Sequence, residues 1–524
     1  MASYPLGVVP GAALSVLLAA GVLGASSEEL NPAAPIRAFL DGNGSPRPLC
    51  DTAEGCAVWA ATQAFYAGRE HRPAWLDPDG RPNRAGRRLG EVLLHAPADG
   101  LDAARLAVIS ADAPAPEDVR ATVALLRYAS ALGQGTRGPE SIPFWRPVRR
   151  SVDLAALLGR ALDDPEGALD AVRPWHPQHA RLAEALARYR EAAARETEGL
   201  VVPARPVLRA GQRSPLAARI RARLVLEGDL AAGDTTAAED VYDPALAAGL
   251  RRFEARHGLT PDGRFDADLA AALSVPLEER VRQIELNLER WRWSPPAGRG
   301  RSVLVNIPTF TLHAYDDGKE ALDMRVVTGQ PHTPTPVFTD EMTSVVFSPY
   351  WNVPANIASS ETLPAVLRDR GYLRRMGLEA VRDGRVVDPA AIGRAGWRSV
   401  GFRQRPGPGN ALGLVKFLFP NPFNVYLHGT PEGHLFARAR RAYSHGCIRV
   451  QKPEELARWV LDGHGGWTAR TIGAAMRGGR ERGVPLDEPI PLTIGYFTVW
   501  VDDDGAVRFL PDVYGHDAAQ MRAF

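Results

Sequence analysis

At 524 residues the chain is too long for one ordinary domain, and three or four are expected. Its 45% hydrophobic and 23% charged residues suit packed globular domains. The 62 basic residues against 61 acidic leave a net charge of +1. That balance excludes the basic excess of a nucleic-acid partner or of a protein held on an anionic membrane surface.

Taken in order, the chain opens with its one long apolar run, Val8–Ala25 (VVPGAALSVLLAAGVLGA), followed by Ser26, Ser27, Glu28 and Glu29. An apolar core with a small-residue exit reads as a signal peptide over residues 1–26, although no Lys or Arg precedes it. The run is also nearly long enough for an uncleaved anchor, and either way the rest of the chain is expected to be exported. Cys50 and Cys56, in CDTAEGC, are close enough to pair in an oxidising compartment; two free thiols in a surface loop fit the spacing equally well. No Cys/His cluster has zinc-site spacing, so neither a metal nor a cofactor is expected.

Residues 34–200 are rich in Ala, Leu and Arg, and several stretches repeat apolar positions at three and four residues, as in Val123–Leu132 and at Leu182, Ala185, Leu186 and Tyr189. They predict a helical region, with Trp59, Phe65, Tyr66 and Trp75 packed between helices. Pro203, Pro206, Gly211 and Pro215 mark a linker. Residues 212–276 then form a small unit in which Pro244 suits the first turn of a helix and Gly258 its end. Its pattern Phe253, His257, Gly258, Leu259, Asp262, Gly263 resembles the three-helix peptidoglycan-binding module. Asp266 and Leu269 stand where that family usually has Gly and Thr. The resemblance therefore implies the fold and leaves glycan binding open beside a docking or spacer role. Residues 277–293 (LEERVRQIELNLERWRW) place Val281, Ile284, Leu288 and Trp291 on one helix face and are expected to act as a linking strut.

From Ser302 the period changes from helical to β. Val303–Ile307, Thr311–Tyr315, Met324–Thr328 and Thr343–Phe347 read as strands. A mixed insertion, about 351–413, begins at Trp351-Asn352-Val353-Pro354, and Val415–Phe419 resumes the sheet. Helices are expected at Glu454–Leu461 and Ala469–Met476, then a hairpin of Thr493–Val501 and Ala506–Leu510 around Asp502–Gly505. The fold class is α+β and multidomain: helical domains followed by a mostly antiparallel β domain over residues 300–512.

The chemistry gathers in NVYLHGTPEGHLFARARRAYSHGCIRV, residues 424–450. Cys447 follows Gly446, and His428 ends the apolar run Val425-Tyr426-Leu427. A thiol needs a base or a positive field to become a nucleophile, and imidazole is the usual base near neutral pH. Gly446 allows a tight turn whose amides can face a carbonyl oxygen. A Cys and a His alone also fit a buried small hydrophobe and a structural ring. Papain-like peptidases place Cys before His, with a different local signature, and are disfavoured. The Arg438, Arg440 and Arg441 cluster is most simply a solvated face.

The paired words HGT (His428–Thr430) and SHGCIRV (Ser444–Val450) resemble the signature of the L,D-transpeptidase (YkuD-type) catalytic domain, a cysteine acyltransferase of bacterial cell walls. FYAGREHRPAW and HAPADGLDAARL resemble the helical scaffold of its large Gram-negative periplasmic members. The resemblance implies a periplasmic enzyme that attacks a donor tetrapeptide stem of peptidoglycan, releases D-alanine and joins the thioester to an acceptor amine as a 3→3 cross-link. Other wall-synthesis proteins are further partners to expect. Cys447 would be the nucleophile and His428 the base. The Gly429 carbonyl would fix the imidazole tautomer, with His445 secondary. Candidate substrate contacts are Ser444, Gly446, Arg449, Trp351 and Asn352; for Arg449 a structural ion pair is equally open. The insertion would cap the cleft. Water as acceptor would make the chain an L,D-carboxypeptidase, and an idle wall-binding scaffold is the more distant alternative.

Overall fold

Helices dominate the described residues before 293 because their starts are chemically marked. The computed structural model describes residues 32–522, apart from 42–49, 51, 107–114, 137, 139–141, 147–149, 198, 204–207, 209, 235–237, 295–299 and 393. The Val8–Ala25 run, Pro206 and the Pro295-Pro296 stop lie outside the described residues. Thr52, Asn83, Ser214, Asp243 and Asp266 each accept a backbone N–H at the head of α1 (Ala53–Gly68), α2 (Arg84–Leu93), α5 (Pro215–Leu226), α6 (Pro244–Arg256) and α7 (Ala267–Leu273). Between them run α3 (Glu117–Gln134) and α4 (Pro177–Arg195), and α8 (Leu277–Arg292) follows. Asp266 therefore departs from the module pattern to cap a helix. Among the described residues no helix is long and apolar enough to cross a membrane.

The described residues fall into two compact units. The first takes in residues up to 138, residues 148–296 and Val499–Phe509; the second takes in 139–147, 297–498 and Leu510 onwards. In the first unit, Asp118 is the polar centre of a core that includes Val58, Trp59, Leu89 and Leu126. Its carboxylate accepts the N–H groups of Ala74, Trp75 and Leu76 at 2.8, 2.8 and 2.9 Å, and the Tyr66 hydroxyl at 2.6 Å. Thr122 accepts the Trp75 indole N–H at 2.7 Å. So Tyr66 and Trp75 belong to a core that also satisfies a bend of backbone. Cys50 and Cys56 are joined in a disulfide beside the start of α1.

In the small module, Phe253 and His257 turn inward. Their rings stack at 3.8 Å, and His257 also stacks on Phe509 of the hairpin Val499–Val501/Val507–Phe509. Arg256 is buried between Glu227 and Asp229 and donates to the Tyr189 hydroxyl at 3.1 Å. The helix expected as a strut is buried on more than its apolar face. Leu277, Val281, Ile284, Leu286, Leu288 and Trp291 are inside, and so are Arg280, Asn287, Glu289 and Arg292. Glu289 and Arg292 pair with each other at 2.6 Å, which lets charges sit on the inner face.

The second unit is built on one sheet: β1 (Trp145–Arg146), β2 (Arg301–Asn306), β3 (Thr311–Asp316), β4 (Lys319–Gly329), β5 (Val337–Phe347), β10 (Val415–Leu418), β11 (Leu427–His428), β12 (Ala442–Ser444), β13 (Ile448–Val450) and β14 (Arg482–Gly495). Its order β5-β10-β11-β13-β4-β3-β2-β14 returns to β5, so the sheet closes and leaves no long free edge. Most pairings are antiparallel; β1–β5, β11–β13, β12–β4 and β14–β2 are parallel. The predicted strand 493–501 is two elements: its first half ends β14, and its second half belongs to the hairpin grouped with the first unit. The insertion has a small sheet of its own, β6 (Trp351–Asn352), β7 (Leu378–Arg382), β8 (Arg385–Val387) and β9 (Gly401–Gln404), around Val366, Trp397 and Phe402.

Replacing Asp118 by Ala leaves the buried or half-buried N–H groups of Ala74, Trp75 and Leu76 without their acceptor, while the Tyr66 hydroxyl keeps the Asp118 carbonyl and Thr122. Each unsatisfied buried donor costs about 1–3 kcal/mol. The expected outcome is a loss of at least about 3 kcal/mol from the first unit, read as a lower urea midpoint of its unfolding transition.

Candidate active site

The His and Cys segments meet through one parallel pairing, Leu427 with Ile448 and His428 with Arg449. Parallel neighbours need a crossover of a dozen or more residues, which accounts for the nineteen positions (447 − 428) between His428 and Cys447. Alternation along each strand puts Tyr426, His428, Cys447 and Arg449 on one face. The crossover is tied down by Arg441. Its guanidinium donates to the carbonyls of Val326, Thr309, Phe310 and Arg438 at 3.2, 3.2, 3.0 and 2.8 Å. Arg438 and Arg440 are exposed, as expected of a solvated face, but Arg441 is buried, and its five donors explain why.

His428 is buried, with Nδ1 2.5 Å from the Gly429 carbonyl oxygen. A carbonyl only accepts, so Nδ1 carries the proton and Nε2 keeps its lone pair. Burial, helped by the nearby Arg449 guanidinium, pushes the imidazole pKa down to about 3, against a smaller upward pull from the Gly429 carbonyl. Cys447 is half-buried. Desolvation pushes its thiol up, opposed by backbone and side-chain hydrogen bonds from Tyr426 and by Arg449. Both shifts favour the neutral forms, a thiol and an imidazole on one face of adjacent strands.

The turn between β12 and β13 is held from inside. Gly446 has φ +112°, open to glycine alone in practice. Its carbonyl accepts Thr335 Oγ1 at 2.8 Å. The buried Ser444 hydroxyl donates to the Cys447 carbonyl at 2.5 Å and accepts Gly446 N–H at 3.2 Å. The Gly446 amide is therefore engaged, and among the described residues no acceptor is found for Cys447 N–H. Of the two amides that flank the Gly-Cys bond, Cys447 N–H is the one left for an oxyanion.

The other candidates are spread more widely. Arg449 is paired with Glu432 of the crossover, which engages its guanidinium within the protein. His445 is exposed and lies 2.8 Å from Glu361 of the insertion. Trp351 and Asn352 form β6 and pair with Gln404 and Arg403, with Trp351 packed on the insertion's own core. No contact among the described residues joins either to Cys447. The sequence pattern does not single out Tyr426 or Thr335, and it groups Arg441 with its solvated neighbours. The one cue to Tyr426, its place two positions before His428 on a strand, is masked by its apolar neighbours.

A neutral resting pair has a measurable consequence. With the imidazole depressed and the thiol raised, neither group changes charge between about pH 5 and 8. Cys447 alkylation by iodoacetamide should therefore climb with pH through and beyond 8, with no inflection near 6.5. A plateau extending into acid would reveal a thiolate–imidazolium pair instead.

Comparison with known proteins gives three matches along the chain. Residues 300–469 match the L,D-transpeptidase catalytic domain. Residues 60–186 match the scaffold domain, and residues 218–273 match the "Putative peptidoglycan binding domain". A curated Haemophilus influenzae protein described as "Putative L,D-transpeptidase" is 34% identical over 243 residues, 45% of this chain and 48% of the relative. The chain thus matches about half the length of that relative. Among solved structures, an L,D-transpeptidase from Mycobacterium smegmatis aligns at 16% identity and TM-score 0.20 over 38% of this chain and 60% of that one. One from Stackebrandtia nassauensis aligns at 12% identity and TM-score 0.20 over 56% and 97%. The part of the second unit that matches the L,D-transpeptidase catalytic domain, residues 300–469, includes both Cys447 and His428.

Proposed function

We propose that the protein is an L,D-transpeptidase that forms 3→3 cross-links in peptidoglycan through a Cys447 thioester. The observation that carries this reading is the placement of Cys447 and His428 on one face of adjacent parallel strands, with the His428 proton held on Nδ1. Cys447 Sγ attacks the carbonyl carbon of the donor stem's third residue as its proton passes to His428 Nε2. Cys447 N–H receives the oxyanion. Collapse breaks the bond to the terminal D-alanine, whose amine takes the proton back from His428. A side-chain amine of a second stem then attacks the thioester and gives its proton to His428; Sγ leaves and is reprotonated. Moving the proton during attack suits a neutral pair, because neither charge need exist alone beforehand. The Gly429 carbonyl does the orienting work of a triad carboxylate.

Purified protein incubated with disaccharide-tetrapeptide should yield cross-linked dimer and free D-alanine by mass spectrometry. Tripeptide alone would indicate water as acceptor. Cys447→Ala should abolish both products with folding intact, whereas Cys50→Ala and Cys56→Ala should stay active; normal turnover in Cys447→Ala sinks the assignment. His428→Ala should slow acylation by a reactive β-lactam about 10²-fold at neutral pH, with partial recovery towards the thiol's alkaline range. His445→Ala should cost less and show no such recovery.

The same reading places the protein outside the cytoplasm, in the periplasm. Support comes from the apolar Val8–Ala25 run, the Cys50–Cys56 disulfide and a wall substrate. A fusion of residues 1–40 to a reporter active only after export should give signal. Silence from an expressed fusion refutes export by this segment.

A further inference from the structure

The insertion reaches the catalytic turn through a carboxylate. Glu361 lies in a π-helical turn, Ala358–Thr362, that leads into α9 (Leu363–Arg368). Pro364 explains the widened turn: it has no N–H to offer, and its ring crowds the carbonyl four residues back, at Ser360. The backbone on either side is anchored: Thr362 and Val366 after it are buried, and Ile357 and Ala358 before it pack on the insertion's core. Glu361 itself points outward, and its Oε1 lies 2.8 Å from His445 Nε2. A carboxylate only accepts, so His445 carries a proton on Nε2, the opposite ring nitrogen from His428. His445 stands between Ser444, whose hydroxyl engages the Cys447 carbonyl, and Gly446, whose φ is +112°.

We propose that Glu361 is a positioning residue of the active site: it holds His445 from the insertion side and thereby fixes the Gly446–Cys447 turn in which Cys447 N–H meets the oxyanion. This deepens the acyl-transfer reading and rests on it. Thr335 and Ser444 hold the turn from the barrel, and Glu361 holds it from the insertion. The acyl-transfer step is thereby coupled to where the insertion sits, although no insertion residue performs chemistry.

The test uses the full chain with Glu361→Ala, Glu361→Gln, His445→Ala and the Glu361→Ala/His445→Ala pair. The Glu361 side chain is half exposed, so its removal leaves no buried orphan and the variants fold. Acylation by a reactive β-lactam is followed to saturation, and Cys447 alkylation by iodoacetamide is measured in parallel. Glu361→Ala should lower the saturating acylation rate about tenfold, with half-saturation and alkylation each changed by less than about twofold. Glu361→Gln should recover most of the rate, because its amide oxygen still accepts from Nε2. The double variant should be no slower than His445→Ala alone. An unchanged rate in Glu361→Ala, an equal loss on the His445→Ala background, or a shift confined to half-saturation would each overturn the proposal. Wild-type protein that acylates with the β-lactam yet leaves tetrapeptide untouched would sink the 3→3 reading and leave the Glu361 test standing.

Discussion

The register of β11 on β13 is the constraint on which the site depends. Two residue pairs, Leu427 with Ile448 and His428 with Arg449, decide that the imidazole and the thiol share a face. A slip by one residue would send one of them to the opposite side of the sheet. Such short strands cannot hold their own register. It is held by their neighbours: β10 pairs with β11, β4 pairs with β13, and the Arg441 fan of carbonyl contacts anchors the crossover between them.

Burial does two jobs at this face. It strips water from the imidazole and keeps it neutral, and it raises the thiol, which by itself opposes nucleophilicity. The Tyr426 hydrogen bonds and the Arg449 guanidinium act the other way on sulfur. Arg449 is itself balanced by Glu432, so the field at the thiol is a difference between a near cation and its partner. Both groups are thereby held toward their neutral forms.

Much of this is legible in the amino-acid sequence alone. His428 and Cys447 stand out because few residue pairs do acyl transfer, and their spacing leaves room for a crossover. The helical-then-β order follows from a change of period at Ser302. What stays hidden does so for physical reasons. Tyr426 sits in an apolar run and looks like core. Arg441 sits among exposed arginines and is told apart only by the carbonyls that converge on it. The charged face of α8 suggests solvent because Glu289 and Arg292 neutralise each other out of sight. Most of β14 is illegible because Pro485, Pro489 and Pro491 with Asp487 and Glu488 argue against a strand, and the register shift between Pro485 and Ile490 is where the sheet accommodates them.

The hairpin Val499–Val501/Val507–Phe509 bears on how the chain is made. Trp500 lies beside His176 and Trp291, and Phe509 beside Tyr189 and His257, so the first unit's aromatic core includes rings from far along the chain. Synthesis reaches the hairpin 207 residues after α8 ends (499 − 292). Until then the first unit must wait with those rings uncovered, however early its helices form. Its completion waits on the synthesis of the chain that forms the second unit, and a fragment ending at residue 296 would carry the same unfinished apolar surface permanently.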